Sequence, residues 1–208
     1  MNQSRHVIKI KPGRSALILI ATAVVLILLS LIGQYFRLFP DTYSIKGPTQ
    51  EFFLDLFIEK FFVNSELNIP TYFNTAILAI AAVLSFFIAS AKHAVKDKFR
   101  FGWSLLALVF LYLSMDEAVV IHEKFSALFK DAPDVGGWLH YKWVIPAMAI
   151  LVILGLVFLR FFLHLDNRFK GLFLGSAALY LLGALGGELF SGRYANTFGT
   201  KNFTYSAM

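Results

Sequence analysis

The sequence predicts an all-α integral membrane protein with about five transmembrane helices and one short amphipathic interfacial helix, and three observations carry that fold class. Of 208 residues, 58% are hydrophobic and only 15% charged, with mean hydropathy +0.67; soluble domains are nearer ~45–50% apolar. The apolar residues gather into five runs of the length needed to cross about 30 Å of hydrocarbon. Lysine and arginine fall in short clusters between those runs, which is how membrane topology is written. The net charge of +6 therefore implies no nucleic-acid partner, and the whole of residues 1–208 reads as one membrane domain. With no cysteine, disulfides, thiolate metal sites and cysteine nucleophiles are excluded, so any site must use carboxylate, imidazole, hydroxyl or backbone groups.

The first span is expected at about residues 15–33. It is longer than a signal core and leads into Gln34-Tyr35-Phe36 rather than a small-residue cleavage site, so it reads as an uncleaved helix. Between it and the second span, Glu51, Asp55 and Glu59 recur every four residues on an otherwise apolar stretch, 51–62, too short to cross. That stretch reads as a helix in the outer interface or packed on the bundle, shielding it or covering a lipid-facing site. Spans two to five are expected at about 72–91, 101–121, 143–159 and 171–189, with Pro70 in the first turn of span two. Trp103, Trp138, Tyr141, Trp143 and Tyr35 fall at interfaces and read as belt residues.

Eleven of the nineteen lysines and arginines lie in the N-terminal segment and the segments 92–100 and 160–170. Under the positive-inside rule these are cytoplasmic, as is the N-terminus.

Span three carries the chemistry: Asp116 and Glu117 interrupt its apolar run, and His122 and Glu123 follow at its outer rim. Buried ionisable groups in a bilayer are costly and point to function. At ~1.5 Å per residue, Asp116 lies roughly 22 Å along the span and His122 roughly 31 Å. On a straight helix Asp116 and Glu123 share a face while Glu117 and His122 project to either side, so the four cannot bind one ion together. Ser126 stands where a zinc-protease motif needs its second histidine. Glu188 reaches nearly the depth of Asp116 from span five, and Glu66 and His140 cap neighbouring spans on the same side. The composition suits a divalent metal ion, with Asp116, His122, Glu123 and Glu188 as candidate ligands, or a proton relay with Asp116, Glu117 and Glu188 as acid/base groups. Four-residue spacings within span five, 171/175 and 183/187, predict close helix packing at Gly183 and Gly187, which would press Glu188 towards Asp116.

The segments Glu66-Leu67-Asn68-Ile69-Pro70-Thr71-Tyr72-Phe73, Ser114-Met115-Asp116-Glu117 with His122-Glu123, and Gly183-Ala184 with Gly186-Gly187-Glu188 resemble a group of uncharacterised bacterial multi-pass membrane proteins. The resemblance implies a bacterial inner membrane but no reaction, and it implies a further acidic segment and span beyond Met208. Ser114 and Asp116-Glu117 more weakly resemble the alkaline ceramidase-like membrane hydrolases, which hold zinc with three histidines. Here only His122 and His140 fall on the favoured side, His6, His93 and His164 being expected on the other. Two functions follow as expectations: an accessory subunit bound to lipid and to other membrane subunits, or a metal-dependent membrane enzyme acting on a lipid or amphiphile.

Overall fold

The computed structural model describes residues 11–39, 47–122, 124 and 144–199, with the backbone but not the side chain at Glu188. Glu123, His140, Trp138, Tyr141 and Trp143 lie outside the described residues or side chains. The described residues form helices and connecting turns, with no strand among them. Five of the helices are long and apolar enough to cross a membrane. The protein is an all-α multi-pass membrane protein. Its chain divides into two compact units, Met1–Val63 and Asn64–Met208.

The first unit holds α1 (Pro12–Leu38) and α2 (Pro48–Phe61), each opened by a proline in its first turn, where the missing N–H costs nothing. The buried residues of α1, Leu26, Ser30, Gly33 and Gln34, recur at helical spacing and form one stripe. At Gly33 a side chain would press to 3.2 Å from Phe57 and Ile58, so glycine is what lets α2 lie against α1. The Ser30 hydroxyl accepts the Val63 N–H at 3.1 Å and ties down the chain leaving α2. The amphipathic helix thus packs on α1, starting three residues before the expected 51–62. Phe52, Phe53 and Leu56 stay exposed on its other side. The buried amide nitrogen Nε2 of Gln34 has no hydrogen-bond partner among the described residues.

The second unit is organised on an antiparallel hairpin of α3 (Ile69–Ala94) and α4 (Arg100–Val119). Thr71, Leu78, Ala82, Ser85 and Ala89, buried along α3, follow the alternating spacing of a coiled-coil seam. Most are small, which allows the close backbone approach that holds helices together in lipid. Opposite them α4 buries Ala107 and Ser114, and the Ser114 hydroxyl donates to the Thr75 carbonyl at 3.0 Å.

The hairpin's other neighbours are α5 (Val144–His164) and α6 (Asn167–Phe198), the latter broken by a π-helical turn at Leu182–Gly186. An added Cβ at Gly102 would meet the Phe161 ring at 2.4 Å, so the absent side chain makes room for α5. Phe161 also meets Trp103 edge-on at 5.2 Å, and Trp103 reaches Phe173 of α6 at 6.3 Å. Span four runs past the expected 159, because Arg160 and His164 are accommodated towards the helix end rather than stopping it, and span five runs past 189 to Phe198.

Among the described residues, a Cβ built at Gly183 or Gly187, or at Gly171 or Gly175, meets nothing within 4 Å. Small-residue packing is found on α3, and in the second unit the tight glycine is Gly102.

Candidate functional site

The cluster is built where α3 begins and α4 ends. Before α3 the chain turns at Leu67, left-handed at φ 57°, and Asn68 caps the helix. The Asn68 side chain accepts both the Thr71 N–H and the Thr71 hydroxyl at 3.1 Å and donates to the Ser65 carbonyl at 3.0 Å. Fully buried, this capping lattice satisfies helix donors that hydrocarbon could not, and it holds Glu66 at the mouth of the hairpin.

At the other side, span three does not continue straight to 121. Helix α4 ends at Val119, and Val120 takes the left-handed conformation (φ 56°, ψ 49°), its N–H bonded to the Asp116 carbonyl at 2.7 Å. A β-branched residue rarely adopts that geometry. The reversal brings His122 back over its own helix, a correction to the straight-helix expectation that sent His122 and Asp116 to different faces. The His122 backbone N–H donates to Asp116 Oδ1 at 2.8 Å, and its ring Nδ1 lies 3.1 Å from Asp116 Oδ2. Its Nε2 faces Glu66 Oε1 at 3.6 Å, an ion pair too long for a good hydrogen bond.

A carboxylate beside each ring nitrogen favours the protonated imidazolium over the neutral ring. The Asp116 hydrogen bond first, and Glu66 second, push its pKa up to about 10 against an opposing desolvation. Glu117 accepts from the Asn74 amide at 3.2 Å and lies within electrostatic reach of Glu66, His122 and Asp116. From α6, Tyr180 is close enough to feel the charges of Glu117 and Asp116.

Of the residues singled out from sequence, Asp116, Glu117, His122 and Glu66 are thus brought together. Glu123 and His140 lie outside the described residues, and so does the side chain of Glu188, so span five is represented at the cluster by Tyr180. Among the described residues no group of three or more histidine, aspartate or glutamate side chains has metal-holding geometry. Sequence reasoning did not pair Asn74 with Glu117. It missed the Asn68–Thr71 cap, for which an Asn followed three residues later by Thr at a proline-opened helix was the available signal.

Chemically, the arrangement can staple the end of α4 to the start of α3 through one cation, or pass a proton between Asp116 and Glu66 through the two ring nitrogens. No curated protein and no solved structure matches the chain. A family described as a domain of unknown function, DUF8692, matches residues 15–208, nearly the whole chain, and the protein belongs to that family.

Proposed function

We propose that this chain is a non-catalytic accessory subunit of a larger assembly in a bacterial inner membrane, with its N-terminus cytoplasmic. The observation that carries the reading is the state of α6. Among the described residues, neither its first fifteen residues nor its π-helical turn contributes a buried residue, and nothing fills the space beside Gly171, Gly175, Gly183 and Gly187. Helices associate in lipid chiefly by close packing at small residues, so this surface suits a neighbouring helix better than acyl chains. The cluster at the hairpin mouth supports the same reading, since its described charges are engaged by one another rather than presented to a substrate. The orientation rests on the basic clusters, and labelling of Lys96→Cys from outside intact cells would reverse it.

Extraction of native membranes into polymer-bounded discs tests the function. The expected result is a particle holding other chains at fixed stoichiometry, lost in Gly183→Leu and kept in Val152→Leu. A particle of this chain alone contradicts it.

A second reading, a metal-dependent membrane hydrolase acting on a lipid or amphiphile, is favoured by the convergence of Glu66, Asp116 and His122. It requires His122 to give up one carboxylate and a proton before it can bind a divalent ion. Stoichiometric metal in the purified chain supports that reading over the first.

A further inference from the structure

At the opposite end of the second unit, the turn between α3 and α4 (residues 95–99) meets the last residue of α5, before the turn 165–166, through a ring stack, Phe99 on His164 at 4.2 Å and 27°. Beneath it lie Phe161 and Trp103, packed where Gly102 removes a side chain. The platform is therefore fixed by aromatic contacts between the start of α4 and the end of α5. Around it cations outnumber the two carboxylates, Asp97 and Asp166. Asp97 is engaged, its carboxylate accepting from Lys92 Nζ and from the Phe99 N–H, each at 2.8 Å. Those bonds, the lysine's foremost, hold its carboxyl below the usual carboxylate range. Lys96, Lys98, Arg100, Arg160, Arg168 and Lys170 have no carboxylate partner among the described residues. Two of these cations are carried on rings, Lys98 at 5.6 Å from the Phe99 centroid and Arg100 at 5.0 Å from that of Phe101. Such contacts let a side chain cover apolar surface while its charge stays in the polar layer.

We propose that this platform and its unpaired cations form a seat for anionic phospholipid headgroups of the leaflet they adjoin. Charge complementarity selects an anion, and the length of the turns selects lipid. Five and two residues between membrane helices cannot lift these cations beyond the headgroup layer, where the phosphates of the bilayer already lie. An acidic protein would have to descend to that layer to reach them. The seat depends neither on the topology of the chain nor on its being an accessory subunit.

The full chain, reconstituted in phosphatidylcholine vesicles with a trace of spin-labelled phosphatidylglycerol or spin-labelled phosphatidylcholine, gives the test. Electron spin resonance reads the fraction of each label held at the protein. The expected result is a several-fold preference for phosphatidylglycerol that shrinks with added salt and falls towards parity in a Lys98→Gln/Arg100→Gln/Arg168→Gln variant. Should that variant lose its helical circular dichroism, Lys96→Gln with Arg160→Gln, two exposed side chains, is expected to lower the preference in the folded protein. Parity in the native chain, or a preference unchanged in every folded variant, overturns the proposal, and binding of polyglutamate with lipid parity would assign the surface to an acidic protein instead.

Discussion

His122 grips Asp116 twice, through its backbone N–H at 2.8 Å and its ring Nδ1 at 3.1 Å. One residue therefore closes the end of α4 with both a hydrogen bond and a charge, and a cation at a helix C-terminus also meets the negative end of the helix dipole. Because Nε2 faces Glu66, the same ring ties that end to the turn before α3.

The raised pKa of His122 sets a direction for stability against pH. The folded value of about 10 lies above the ordinary 6.5, so the stabilisation is complete below about pH 6.5 and is lost as pH rises through about 10. Thermal unfolding of the purified chain is expected to fall across that window, by about 2–4 °C for each kcal/mol withdrawn. His122→Gln keeps a donor but not the charge, and is expected to lower the melting temperature at pH 6 and flatten its decline towards pH 10.

The Asn74 amide is the described donor to Glu117. Asn74→Leu is expected to cost about 1–3 kcal/mol by leaving that carboxylate without its partner. Asn74→Asp sets a second carboxylate against it and is expected to cost more at pH 8 than at pH 4. Unfolding of the variants at the two pH values reads both effects.

Two glycines on neighbouring helices should respond in opposite senses. Gly102→Ala drives a methyl into a Phe161 ring that is itself buried and hemmed in by Trp103 and Phe158, and is expected to cost about 1–3 kcal/mol. Gly175→Ala meets nothing within 4 Å and gains helix propensity, so in the isolated chain it is expected to be neutral or to stabilise by up to about 1 kcal/mol. Melting temperatures in detergent separate them.

Gln34 buries an amide nitrogen with no partner among the described residues, which a similarly shaped apolar side chain would not. Gln34→Met is expected to raise stability by about 1 kcal/mol in the isolated chain, read by the same melts.

The five spans were legible because twenty-odd apolar residues in a row have few alternatives, and the grouping of Asp116, Glu117, His122 and Glu66 followed from depth alone. The way they meet was not legible. It turns on Val120 in a left-handed conformation, where sequence rules expect glycine or asparagine and a valine gives no sign. The seam on α3 was missed for a related reason. Glycines in α6 stand out in a sequence, whereas Ala82, Ser85 and Ala89 in α3 merge into a general apolar run, and only their alternating spacing marks them. The Asn74–Glu117 bond joins residues 43 apart and needs the antiparallel register of α3 and α4, which hydropathy does not encode.

The central claim is that the open surface of α6 receives another membrane helix. A photoreactive phenylalanine analogue at Gly183, compared in native membranes with the same analogue at Val152, whose side chain is exposed on α5, tests it most directly. The expected result is one discrete protein adduct of constant mass from position 183 and only diffuse lipid labelling from 152. Lipid labelling alone at both positions, from membranes in which the chain is intact, would contradict it.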